Sequence, residues 1–219
     1  MNLRTRIKIC GLTRDVDVQA AIDAGVDAVG FVLYAKSPRF VSVDRAARLA
    51  RLLPPFVTPV LLFVNAAASE IAAATAVMPH AALQFHGDES PAQCDAARRP
   101  YLRAVPMRQG LDLLDCVHRF PNAQALLLDA AVEGYGGGGK VFDWSLIPQD
   151  LPAFVRSRFV LSGGLNPANV IDGVLHARPF AVDVSTGVES AKGIKDAALM
   201  RRFCEAVQEA DARLADLAT

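Results

Sequence analysis

The chain has 219 residues, is 52% hydrophobic, and balances 23 Lys and Arg against 23 Asp and Glu. That length and apolar fraction predict one domain, 1–219, with a substantial core. The charge balance gives no broad basic field for nucleic acid and no like-charge tail, and no uncharged apolar run reaches membrane-spanning length.

In chain order, short β-rich apolar runs begin at 7 (IKIC), 26 (VDAVGFVL), 59 (PVLLFV) and 82 (ALQFHG), then at 101 (YLRAVPM), 125 (ALLLDA), 159 (FVLSGG) and 181 (AVDVST). Between them, Ala-rich stretches of helical period cover 16–24, 44–53, 69–77, 91–99, 111–120, 167–176 and 196–214. The sixth connection differs: a Gly-rich loop precedes only a short helical turn at 145–147. Thr13 is expected to cap the first helix and Gly25 to end it, with Ser42, Ser90 and Asn166 as further caps. Pro91 and Pro167 suit first helical positions.

Strict alternation of strand and helix demands parallel strands with crossover helices. Eight such units predict an α/β fold, a single (β/α)8 TIM barrel with an eight-stranded parallel sheet. An open doubly wound sheet is the alternative. The N-terminus lacks the pattern of a signal peptide. Cys10, Cys94, Cys116 and Cys204 are scattered without metal-ligand spacing. A cytoplasmic protein with reduced thiols is expected.

A barrel of this kind builds its site at the C-terminal ends of its strands. Ile7 and Ile9 suit the helix-facing side of the first strand, which turns Lys8 and Cys10 inward. Cys10 reads as a buried structural thiol or as a general base or nucleophile. Lys8, two residues away on the same face, is expected to favour its thiolate. Asp129 ends an otherwise apolar strand, where a carboxylate is costly to desolvate. It reads as a loop-start carboxylate or as a proton donor with a raised pKa.

Gly163 and Gly164 in SGGL, with Ser185, Thr186 and Gly187 in STG, follow the last two strands. Loops there often hold phosphate through backbone N–H groups. Arg39 sits in a loop after the second strand, where a guanidinium can hold a carboxylate in a two-bonded fork. His86 lies in HGDE, a weak metal signal with no second histidine at a strand end, so no metal is assigned. The run GYGGGGKVFDW, 134–144, reads as a linker or as a lid over the site.

These motifs, in this order, resemble the phosphoribosylanthranilate isomerase family. The markers are KICGLTR, GFVLYAKSPRFVS, LQFHGDE, LLLDA, GYGGGGKVFDW, LSGGLNPANV and DVSTGVES with GIKD. The resemblance covers nearly the whole chain. It implies a (β/α)8 enzyme of tryptophan biosynthesis acting on N-(5-phosphoribosyl)anthranilate by an Amadori rearrangement, without cofactor. It implies Asp129 as general acid toward the furanose ring oxygen, Cys10 as general base at C2, and Arg39 on the anthranilate carboxylate. His86 and Asp183 are the further substrate-binding positions, and the loops after strands seven and eight hold the phosphate. The expected partner is a small phosphorylated aminosugar, with no nucleic acid or membrane, and the chain is expected as monomer or homodimer.

One departure stands in the lid, where Gly138 replaces an expected threonine. Two other readings compete: another sugar-phosphate isomerase or epimerase barrel, such as a ribulose-phosphate 3-epimerase with metal ligands, and a phosphate-binding barrel without turnover.

Overall fold

The computed structural model describes residues 4–131, 135, 139, 141–148 and 150–217. Eight parallel strands close into a barrel in sequence order: β1 (Arg6–Cys10), β2 (Ala28–Val32), β3 (Thr58–Phe63), β4 (Ala82–Phe85), β5 (Tyr101–Met107), β6 (Ala125–Ala130), β7 (Phe159–Leu161) and β8 (Ala181–Val184), with β8 pairing back onto β1. The crossovers carry α1 (Asp15–Asp23), α2 (Val43–Ala50), α3 (Ala68–Val77), α4 (Pro91–Ala96), α5 (Leu113–Arg119), α6 (Ala153–Arg156) and α7 (Val170–Ala177), and α8 (Ala197–Asp216) follows β8. The barrel therefore replaces the open-sheet alternative.

The strand pleat divides the core in two. Ile7, Ile9, Val29, Phe31, Leu61, Leu83, Leu126 and Val182 pack outward against the helices. Leu127, Val160, Ala104 and Ala181 fill the barrel axis. Above them Cys10, Val32, Leu62 and Val64 form a smaller apolar group at the C-terminal end. The inward placement of Lys8 and Cys10 follows from this alternation, because both stand out of phase with the helix-facing Ile7 and Ile9.

Several boundary signals act as expected. Ser42 accepts from the Arg45 N–H, and Ser90 forms a reciprocal capping box with Gln93 behind Pro91. Thr13 does not cap α1: its hydroxyl donates to the Gly193 carbonyl, and Arg14 occupies the cap position, its side chain donating to Asp17 rather than capping the helix. Asn166 does not cap α7 directly. Its side chain accepts from the Ala168 N–H in a turn, and the helix starts at Val170.

The sixth crossover holds a 3-10 turn at Trp144–Leu146, close to the expected 145–147, and also the four-residue α6, too short to show a helical period. A hairpin of β9 (Glu189–Ala191) and β10 (Ile194–Lys195) lies between β8 and α8. The Gly138 substitution and most of the glycine run lie outside the described residues.

Candidate active site

A cavity of about 400 Å³ opens at the C-terminal ends of the strands. Cys10, Arg39, His86, Asp129, Gly163, Gly164, Asp183, Ser185 and Thr186 all line it. Nine of the ten residues given catalytic or binding roles from sequence thus meet in one place. The tenth, Gly187, is not among the lining residues. A Cβ there would stand 1.9 Å from the Leu165 carbonyl oxygen, so its bare backbone lets the loops after β7 and β8 pack together.

Cys10 is 4% exposed and sits among Val32, Leu62, Val64 and Tyr34. It is paired across the sheet with Gly30, where an added Cβ would lie 2.7 Å from the sulfur. The glycine in the second strand is therefore the space that the thiol occupies. Gly11, next along the chain, has φ +80, and a Cβ on it would meet the Arg39 Cδ at 2.4 Å. The first strand ends on glycine because the stem of an arginine from the next loop crosses it.

Lys8 Nζ donates to Asp183 Oδ1 at 2.8 Å, with both side chains 6% exposed. Burial alone would lower the lysine pKa, but Asp183 and Cys10 outweigh it and the ammonium is held above its ordinary range. For Cys10, burial dominates and pushes the thiol pKa up. Lys8 and Lys195 pull it down, and Asp183 adds to the rise. The cationic pull expected from Lys8 is present, but it loses to desolvation because Asp183 shares that charge. Burial therefore favours the neutral form of Cys10, and the two lysines work against it.

Asp129 ends β6 on the inner face. Its Oδ1 accepts from the Ala130 N–H at 2.9 Å, and its Oδ2 lies 3.0 Å from His86 Nε2. His86 Nδ1 in turn lies 3.0 Å from the Gln84 side-chain nitrogen. His86 is thus fixed against the carboxyl expected to be the acid. Among the described residues, no group of three His, Cys, Asp or Glu is gathered for a metal ion.

Gly163 and Gly164 have φ +76 and +67, a left-handed pair that L side chains avoid. Successive N–H groups held this way form an anion-binding concavity. Among the described residues no backbone carbonyl accepts from either N–H. Ser185 and Thr186 face the same end of the cavity from the loop after β8.

Arg39 is 6% exposed and already engaged: Nε and Nη2 donate to the two carboxylate oxygens of Glu189 at 2.7 and 2.8 Å. Tyr135, in the glycine run, reaches across to Asp88 and Asn65 and packs edge-on against Tyr34. This part of the run therefore stands over the cavity mouth.

Glu189, Lys195, Gln84 and Gly30 were not singled out from sequence. The first two look like surface charges flanking a turn, and a glycine inside a strand signals a close approach without naming what approaches.

Comparison with known proteins gives a consistent result. The family model described as N-(5'-phosphoribosyl)anthranilate (PRA) isomerase matches residues 7–206. N-(5'-phosphoribosyl)anthranilate isomerases of Methylibium petroleiphilum and Leptothrix cholodnii are 71% and 66% identical over 213 residues, 97% of this chain and 98% and 95% of theirs. The crystal structure of phosphoribosyl anthranilate isomerase from Thermotoga maritima superposes with a TM-score of 0.83 at 40% identity, covering 94% of this chain and 99% of that one. A second solved structure, of the isomerase in complex with reduced 1-(o-carboxyphenylamino)-1-deoxyribulose 5-phosphate, superposes with a TM-score of 0.79 at 37% identity over the same shares.

Proposed function

Because the chain belongs to the phosphoribosylanthranilate isomerase family, and so converts N-(5-phosphoribosyl)anthranilate to 1-(2-carboxyphenylamino)-1-deoxyribulose 5-phosphate in tryptophan biosynthesis, we propose that Cys10 is its general base and Asp129 its general acid. The observation that carries this assignment is that one thiol and one carboxyl, from strands on different sides of the barrel, line the same cavity.

The Amadori rearrangement needs a proton delivered to one atom of the sugar and another removed from its neighbourhood. Asp129 gives its proton to the furanose ring oxygen as the nitrogen lone pair opens the ring to a protonated Schiff base. That cation acidifies the C2–H bond, and Cys10 takes the proton as a thiolate. Collapse of the resulting enolamine forms the C2 ketone, while C1 gains a proton and the 2-hydroxyl loses one, so the proton count closes over a turnover.

The two anionic ends of the substrate orient the reacting carbons between these groups, so that binding energy remote from the chemistry serves positioning. Arg39 takes the aryl carboxylate. The Gly163–Gly164 concavity, with Ser185 and Thr186, takes the phosphate, and Gly187 contributes by letting that loop close up. His86 and Asp183 contact the sugar while His86 also holds Asp129. The steps use side-chain protons alone.

The partner is a small phosphorylated sugar derivative. We place residues 1–219 in one barrel domain, acting in the cytoplasm as monomer or homodimer without nucleic-acid or membrane partners. The balanced charge leaves no broad basic field for nucleic acid, and among the described residues no helix is long and apolar enough to cross a membrane.

A crystal structure with the reduced product analogue tests the assignments. The phosphate is expected on the Gly163 and Gly164 N–H groups and the carboxylate on Arg39. A ligand bound the other way round would refute both binding assignments.

A further inference from the structure

A guanidinium has two edges that can grip a carboxylate: a side edge of Nε and Nη2, and an end edge of Nη1 and Nη2. In Arg39 the side edge is taken by Glu189. Among the described residues no acceptor bonds Nη1, and Arg39 lines the cavity. Glu189 is itself held. Its Oε1 accepts from Lys195 Nζ at 2.8 Å, and that ammonium also donates to the Ser185 carbonyl at 3.0 Å and hydroxyl at 3.3 Å.

The Lys195 side chain is fully buried and Glu189 is 5% exposed. The stem of Arg39 is confined as well. It crosses Gly11, and the β9–β10 turn at Gly193 packs against the Pro38 carbonyl just before it. Burial alone would raise the Glu189 carboxyl, but its bonds from Arg39 and Lys195 win and hold it below the usual carboxylate range.

We infer that Glu189 and Lys195 are positioning residues that present the free end edge of Arg39 to the substrate carboxylate and tie it rigidly to Ser185 at the phosphate end. This rests on the reading of Arg39 as the carboxylate grip. The consequence is specificity: the preference for an aryl group carrying a carboxylate depends on a carboxylate the substrate never touches.

A charge argument alone predicts the opposite sign. Neutralising Glu189 leaves more positive charge beside the site, and simple Coulomb attraction would then tighten binding of an anion. Orientation predicts loosening, because an unheld guanidinium loses its aligned pair of charge-assisted bonds.

The test compares dissociation constants of the reduced product analogue and of its phenyl counterpart lacking the carboxylate, for wild type, Glu189→Gln and Arg39→Met. Wild type is expected to prefer the carboxylated ligand. Glu189→Gln is expected to cut that preference by about tenfold, the scale of one charge-assisted bond. The loss should fall on the carboxylated ligand, with the phenyl ligand bound as before. A general loosening of the fold would weaken both ligands alike, and that result would overturn the inference.

A preference unchanged or raised in Glu189→Gln, while Arg39→Met abolishes it, overturns the inference and leaves the Arg39 assignment standing. A preference unchanged in Arg39→Met overturns the assignment and the inference with it. If Glu189→Gln fails to fold, Glu189→Asp serves. It keeps the buried charge but withdraws it from Arg39 by one methylene, and the same loss of preference is expected.

Discussion

Replacing Gly30 by alanine probes how tightly the Cys10 thiol, the proposed base, is seated. The new Cβ would stand 2.7 Å from the Cys10 sulfur, 3.1 Å from its Cα and 3.2 Å from its Cβ. Heavy atoms in good contact sit roughly 3.5–4.0 Å apart, so the sulfur has to retreat by about 1 Å. The backbone of Gly30 is ordinary strand, so alanine adds no torsional strain there. Overpacking of this kind costs about 1–3 kcal/mol of stability. A displacement of about 1 Å at a reacting group costs about 100-fold in rate. Steady-state turnover, followed by the loss of substrate fluorescence, should therefore show kcat down by about 100-fold. KM should change little, because Arg39 and the phosphate loops are untouched. A folded Gly30→Ala protein with wild-type kcat would show that the thiol position is not what limits the reaction.

Lys8→Met leaves the buried Asp183 without its partner and should cost about 3–5 kcal/mol in denaturant unfolding. The same change removes a pull that lowers the Cys10 pKa, so the thiol rises further. Since the base must be deprotonated, the acidic limb of the kcat/KM profile should move to higher pH; a limb that stays in place refutes the coupling. Ser90→Ala removes the cap of α4 at a residue that does not line the cavity, and should cost about 1 kcal/mol with turnover unchanged. Gly163→Ala forces a side chain into a left-handed backbone 2.6 Å from the Ala130 nitrogen and 3.1 Å from Asp129 Oδ1. It should raise KM and lower kcat together, and wild-type values for both would refute the placement of that loop.

The barrel was legible because its signal is repetitive: eight apolar runs, all but the sixth followed by a stretch of helical period, leave few topologies open. Within it, the strand pleat was enough to turn Lys8, Cys10 and Asp129 inward. What stayed hidden were relations between distant segments. Nothing in GVESAKGIKD marks Glu189 and Lys195 as buried, since charges around a turn normally face water. They become interior only when the hairpin folds over the stem of Arg39. The balance at Cys10 was hidden for a similar reason. Lys8 is visible two residues away, but Asp183, which shares its charge, lies 175 residues on, and the degree of burial that decides the sign belongs to the closed barrel. The missed helix α6 has a plainer cause, since four residues cannot display a period.

The central claim is that a thiol on β1 and a carboxyl on β6 act on one bound sugar. Turnover of N-(5-phosphoribosyl)anthranilate by Cys10→Ala and Asp129→Asn, with binding of the reduced product analogue measured on the same samples, tests it most directly. Near-complete loss of turnover in both variants, with the analogue still bound, is the predicted result. Turnover at the wild-type rate in either variant would contradict it.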